Sequence, residues 1–210
     1  MELYTYYRST SSFRVRIALA LKGLDYLALP VNLLKGEQLG AGYAAINPQG
    51  RVPALRTDGG DVLVQSPAII EYLEEAYPQP ALLPAGTEDR ARVRAVAAII
   101  ACDVHPLHNV SVLNQLRQLG HDESQVNQWI GHWIGQGLAA IEQLIGDEGF
   151  CFGASPGLAD VYLIPQLYAA ERFTVDLGAY PRIRRVAALA QRHPAFVTAH
   201  PSRQPDTPAQ

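Results

Sequence analysis

Cysteine is nearly missing from this sequence: Cys102 and Cys151 are the whole supply. They stand far apart and belong to no C-x-x-C pair, which argues against a disulfide framework, a zinc site and a dithiol redox motif. No metal is expected. Lysine is almost as scarce, with Lys22 and Lys35 alone, and the formal charge is −3. A nucleic-acid binder built on a general basic patch is therefore not expected. No stretch approaches the ~18 apolar residues of a membrane span. The opening MELYTYYRST starts with a charge and lacks the apolar core of a signal peptide. The expected setting is cytoplasmic, with neither membrane nor nucleic acid as partner. What remains is an ordinary globular composition, 48% apolar over 210 residues, enough for one or two domains.

The first 80 residues alternate strand and helix signals. Leu3 to Tyr7 is a short aromatic β-prone run. Ser11 or Ser12 can cap a helix reaching Lys22, with Gly23 just beyond its end. Tyr26 to Asn32 reads as a second strand, its proline favouring a sheet edge. After a polar segment come NPQGRVPAL and Val62 to Gln65, separated by the hairpin turn Asp58-Gly59-Gly60. Ser66-Pro67 then supplies an N-cap and a first-turn proline for AIIEYLEEAY, which Pro78 ends. The order is βαβαββα over residues 1–80. Residues 81–87 read as a linker with Leu82 and Leu83 as an apolar latch. Residues 88–210 carry only helical periodicity: Arg90 to Ala101, Gln125 to Ile145, Ala159 to Glu171 and, more briefly, Pro181 to His193.

Three features of the first domain carry chemistry. RSTSSFRVRIAL places four hydroxyls where a strand gives way to a helix, whose N–H groups and positive dipole end face the loop. A plain N-cap with spare serines accounts for the same residues. Val52-Pro53, an apolar residue before proline at the entrance to a strand, suits a cis bond that exposes backbone to a ligand, though trans is the default. Gln65-Ser66-Pro67 sets another hydroxyl at another helix start. In a thioredoxin-like arrangement these three places converge on a groove suited to a small peptide with free carboxylates.

The run Ser9-Thr10-Ser11-Ser12-Phe13-Arg14-Val15-Arg16-Ile17-Ala18-Leu19 resembles the signature S-S-C-x-W-R-V-R-I-A-L of the zeta-class glutathione transferases. The likeness continues through NPQGRVPAL, QSPAIIEYLEE, HPLHNVSVL, LADVYLIPQ, AERFTVDLGAYP and HPSRQPDTP, covering essentially the whole chain. It implies the glutathione transferase fold, α/β plus all-α: a thioredoxin-like domain followed by a helical bundle. It also implies glutathione as cofactor, a small dicarboxylate as substrate and a homodimer. The implied activity is cis–trans isomerisation of maleylacetoacetate in tyrosine and phenylalanine breakdown. Thiolate addition turns the conjugated cis double bond into a single bond, which rotates before elimination. The protein must then lower a thiol pKa and supply donors to an enolate. Maleylpyruvate isomerisation in gentisate breakdown, transfer of glutathione to small halogenated acids and non-catalytic glutathione binding are the alternatives. Relatives acting on maleylpyruvate carry an arginine after the asparagine matching Asn109, where Val110 and Ser111 stand here.

Residue by residue, the resemblance assigns Ser9 to the glutathione sulfur, with Thr10 and Ser11 beside it as the catalytic hydroxyls and Ser12, Phe13 and Arg14 in the same segment. Gln65 and Ser66 match the pair holding the γ-glutamyl end, and Val52 the backbone partner of the cysteinyl group. Gln38, His105, Asn109, Val110 and Ser111 match contacts to the rest of the peptide. Arg8 and Arg172 are assigned to substrate carboxylates, which suit the planar guanidinium. Two departures stand out: Ser11 replaces the family cysteine and Phe13 its tryptophan. Arg16 has no assigned role, Arg14 an open one, and both are expected as structural ion-pair partners. His108 reads as a surface residue. Asp160, paired with Gly157 where relatives have threonine, reads as a folding residue in half a capping box.

Overall fold

The computed structural model describes residues 1–208; residues 209 and 210, the end of the expected helical domain, lie outside the described residues. The chain divides by contacts into one unit of Met1–Leu82 with Arg192–Gln210 and a second of Leu83–Gln191.

The first unit follows the expected order: β1 Glu2–Thr5, α1 Thr10–Leu21, β2 Leu27–Pro30, α2 Ala41–Ala44, β3 Ala54–Arg56, β4 Val62–Val64 and α3 Ser66–Ala76, with a short 3-10 turn, Glu37–Leu39, before α2. The sheet runs β2-β1-β3-β4. β1 pairs parallel with β2, Leu3 facing Ala28, and antiparallel with β3, Leu3 facing Leu55. Pro30 thus sits on an edge strand, where its missing N–H leaves no ladder bond unmade. The β3–β4 turn closes through the Thr57 N–H to Asp61 C=O bond at 2.9 Å, with Gly60 at φ 93°.

Helix α1 is buried on almost every side, Phe13 to Leu19 included, because it packs against both α3 and a late helix, α9 Pro194–Ala199. The sequence places 192–210 with the helical bundle; the described part of that segment, 192–208, groups with the first unit. Ala195, Phe196 and Ala199 are buried, the Phe13 ring meets His200 edge-on at 5.8 Å, and Asp206 accepts the Tyr7 N–H at 2.8 Å. At the other end of α1, the buried Lys22 ammonium donates to Glu74 (2.7 Å) and to the Tyr77 and Pro80 carbonyls. Glu74 also accepts the Leu82 N–H. The expected latch at Leu82 is therefore ionic as well as apolar.

The second unit is all helix: α4 Thr87–Ala98, α5 Val110–Gln118, α6 Glu123–Leu144, α7 Leu158–Arg172 and α8 Pro181–Ala190. Between α4 and α5 the chain passes through a π-helical stretch, Ile99–Val104, and a 3-10 turn, His105–His108. The run Thr87–Gln118 does pass, by length and composition, as able to cross a membrane, contrary to the sequence expectation. Its apolar positions Val93, Val96, Ile100 and Val104 are buried. Asp160 anchors α7, accepting N–H bonds from Cys151 (2.9 Å) and Gly157 (2.8 Å) at 1% exposure. This is half a capping box, since Gly157 has no side chain to reciprocate. Burial pushes the Asp160 carboxyl above its ordinary range, and the two N–H groups pull against that.

Gly137 on α6 faces the π-helical stretch so closely that a Cβ there would collide with the Val104 Cγ2 methyl. Gly137→Ala is expected to cost about 1–3 kcal/mol through overpacking. It would be read as a lowered urea midpoint at unchanged m-value.

Candidate active site

In the first unit, the helix starts differ from expectation in ways that matter chemically. The cap of α1 is Ser9, not Ser11 or Ser12: its Oγ accepts the Ser12 N–H at 3.2 Å. An accepting hydroxyl keeps its own proton for a second partner. Neither α1 nor α3 carries an acidic side chain in its first turn, so no local carboxylate offsets the positive end of either helix. Ser9 and Ser11 are half-buried, and Arg8 lies half-buried just before them. Ser12, Phe13 and Arg14 are buried, at 0%, 1% and 2% exposure. Thr10 is buried as well, at 6%.

The α3 start is capped by Gln65, not Ser66. Gln65 holds φ 71° and ψ 118° with no side-chain cap bond, an unusual conformation for a residue with a Cβ and one that clusters at functional sites. Its amide Nε2 donates to Gln49 Oε1. Ser66 is buried, and its Oγ accepts from Arg14 Nη1 at 3.4 Å. Arg14 thereby ties the N-terminus of α3 to α1, a role that its sequence position does not disclose.

The loop before β3 is shaped by buried amide and phenol donors. Asn47 Nδ2 and the Tyr43 hydroxyl both donate to the Arg51 carbonyl at 2.6 Å. Burial pushes the Tyr43 phenol up to about 12, which keeps it a neutral donor. The Val52–Pro53 bond that follows is cis, and so is Gln79–Pro80, which the sequence did not suggest. Gly50, at φ 62°, brings this loop against the Gln38 carbonyl, which a Cβ would meet at 3.2 Å. Gln38 itself has a buried Oε1 with no hydrogen-bond partner among the described residues, an acceptor suited to a ligand N–H.

In the second unit, His105 is half-buried at the start of the 3-10 turn. Asn109 caps α5, its Oδ1 accepting the Ser111 N–H and hydroxyl, both at 3.2 Å. Val110 and Ser111 are exposed. Arg172 ends α7 with its guanidinium 5.7 Å from the Tyr168 ring and 5.4 Å from Phe173. His108, read as a surface residue from sequence, is 6% exposed and bonded to Gln166 at 3.1 Å. Its ring meets His105 and Phe173 edge-on, a buried setting that one-dimensional spacing does not reveal. Sequence reasoning also missed the π-helical stretch before it; such segments often mark functional sites, but IIACDV carries no periodic signature.

The donors in the first unit, two open helix starts with hydroxyls at one of them, and one acceptor, the orphaned Gln38 amide oxygen, fit a small anionic peptide. Known proteins similar to this chain agree. Residues 3–81 match the family model of the glutathione S-transferase N-terminal domain, and residues 133–194 that of the C-terminal domain. A maleylacetoacetate isomerase of Pseudomonas aeruginosa is 73% identical over 100% of both chains. Among solved structures, the holo form of a maleylpyruvate isomerase, a bacterial zeta-class glutathione S-transferase, superposes with a TM-score of 0.96 at 51% identity, covering 99% of this chain and 100% of its own. A maleylacetoacetate isomerase of Anaeromyxobacter dehalogenans with glutathione bound in its active site superposes with a TM-score of 0.90 at 46% identity, covering 99% and 97%. With both domain models matched and full-length identity this high, the hydroxyl-rich loop and its surroundings are those of a zeta-class glutathione transferase, the family to which this chain belongs.

Proposed function

We propose that this protein is a glutathione-dependent cis–trans isomerase that converts maleylacetoacetate to fumarylacetoacetate. The observation that carries the reading is the open start of α1, where Ser9 caps the helix and retains a hydroxyl proton to donate. Glutathione, when bound, supplies the thiolate whose reversible addition frees the double bond to rotate. Ser9 and the positive end of α1 stabilise negative charge placed before them, with Thr10 and Ser11 completing that turn. Gln65 and Ser66, at the equally open α3 start, are assigned to the γ-glutamyl end. The Val52 backbone is assigned to the cysteinyl part, and Gln38, His105, Asn109, Val110 and Ser111 to the remainder of the peptide. Ser12, Phe13 and Arg14 are assigned to the same segment. Arg8 and Arg172 are the cations assigned to the substrate carboxylates.

The likeness to a maleylpyruvate isomerase keeps maleylpyruvate as a second substrate to test. Exposed Val110, at the position following Asn109, offers no cation for that smaller diacid. The proposal extends to a cytoplasmic homodimer acting in tyrosine and phenylalanine breakdown, as the family resemblance implies. The test mixes the protein and glutathione with each diacid separately and follows enone absorbance. A glutathione-dependent rate, larger with maleylacetoacetate, is expected. No rate with either substrate would overturn the reading, and a faster rate with maleylpyruvate would exchange the two.

A further inference from the structure

Resting on the proposed function, we infer that His108 is a positioning residue, one that sets His105 and Arg172 in register within the helical unit. It touches both sides of the machinery assigned to that unit. The His108 ring meets His105 edge-on, centroids 5.2 Å apart at 64°, and meets Phe173 in the same manner at 5.8 Å and 65°. Phe173 in turn lies under the Arg172 guanidinium at 5.4 Å. A continuous series of ring and cation–π contacts therefore runs from the residue assigned to glutathione to the one assigned to a carboxylate. Contacts of these kinds are directional, so each member restricts the orientation of the next.

Two anchors fix the series. Gln166, 0% exposed on α7, lies 3.1 Å from His108 Nε2. Its amide offers either a donor or an acceptor, so His108 Nε2 finds a partner in either tautomer. This bond fastens the turn that carries His105 to the helix that carries Arg172. The second anchor is the end of α7, where the Thr174 N–H donates to Glu171 C=O (3.0 Å) and the Val175 N–H to Ala170 C=O (2.9 Å). That is the Schellman pattern, closed by Thr174 at φ 58° in place of the usual glycine. Phe173 is thus held by backbone on one side and by His108 on the other.

The experiment measures binding of glutathione and of malonate, a small dicarboxylate probe, by calorimetry, together with kcat and KM for isomerisation. His108→Ala is expected to weaken both ligands about tenfold, raising both KM values more than it lowers kcat. Gln166→Met, which keeps volume and removes the amide, is expected to give the same signature and serves if His108→Ala does not fold. His108→Gln, whose planar amide can still bond Gln166 and stack on Phe173, is expected to recover most of the loss. Ile183→Ala, a buried truncation on α8, controls for a general loss of stability and is expected to leave both affinities unchanged. Affinities in folded His108→Ala or Gln166→Met within twofold of the parent, or an equal loss in Ile183→Ala, would overturn the inference alone. A parent protein that binds neither glutathione nor malonate would overturn the proposed function and this inference with it.

Discussion

Ser9→Ala is expected to lower kcat/KM for glutathione-dependent isomerisation about 100-fold, the low end of what removal of one preorganised donor costs. The hydroxyl is already oriented, because its oxygen is engaged with the Ser12 N–H at 3.2 Å. No reorganisation is then needed when negative charge develops in front of α1. The loss corresponds to about two pKa units in the bound thiol, at ~1.4 kcal/mol each. Thiolate absorbance titrated against pH in the Ser9→Ala complex should therefore shift upward by that amount. The sign follows: with a weaker hold on the anion, the thiolate fraction is reached only at higher pH, and the rate profile moves with it. Loss of the cap also costs about 1 kcal/mol of stability, so turnover is compared at a temperature where both proteins are folded. Ser9→Thr, which keeps the hydroxyl, should retain most activity. Unchanged turnover in Ser9→Ala would place thiolate stabilisation elsewhere.

Arg16→Leu is expected to destabilise the first unit strongly, by about 3–5 kcal/mol, because several buried acceptors lose their donor together. Arg16 has no exposed surface, yet its guanidinium donates from three nitrogens. Nε reaches the Ala199 carbonyl at 3.0 Å, Nη1 the Thr5 hydroxyl at 3.2 Å and the Tyr6 carbonyl at 3.4 Å, and Nη2 the Tyr7 carbonyl at 3.0 Å. Leucine would fill part of the volume and strand acceptors, each costing about 1–3 kcal/mol when left dry. Arg16→Lys should fall between, since one ammonium cannot span the fork. Urea denaturation checks the order Arg16, Lys, Leu, and equal midpoints for parent and Arg16→Leu would refute the account. Because Tyr6 and Tyr7 lead into Arg8 and Ser9, the leucine variant should also bind glutathione more weakly while still folded.

Much of the fold is written in local signals. Gly23 after α1, the Asp58-Gly59-Gly60 turn and Pro67 in the first turn of α3 mark element boundaries by backbone chemistry that any sequence would obey. The hydroxyl-rich start of α1 is likewise legible, because a strand followed by consecutive hydroxyl residues and a helical period marks a helix start. What sequence hides is whatever depends on distant partners. Arginine reads as surface, and the 2% and 0% exposures of Arg14 and Arg16 come with acceptors that include Ser66 and Ala199, far along the chain. Their hydroxyl and carbonyl partners are not signalled by the local sequence. His108 reads as polar until Gln166 is brought to it by α7. Gln65 takes the cap from Ser66 because its backbone adopts a positive φ that no propensity for glutamine suggests.

The return of residues 192 to 208 to the first unit has a consequence for biosynthesis. Helix α1 is made long before its partners Ala195, Phe196 and the Ala199 carbonyl, the last of which lies 183 residues beyond Arg16. The Arg16 cation therefore waits through synthesis of the whole second unit before its acceptor at Ala199 arrives. A ribosome-bound chain can form the sheet and the helical bundle in turn, while the first unit closes only after residues 192 to 208 have emerged. Competence to hold the cofactor is thereby coupled to prior synthesis of the helical unit.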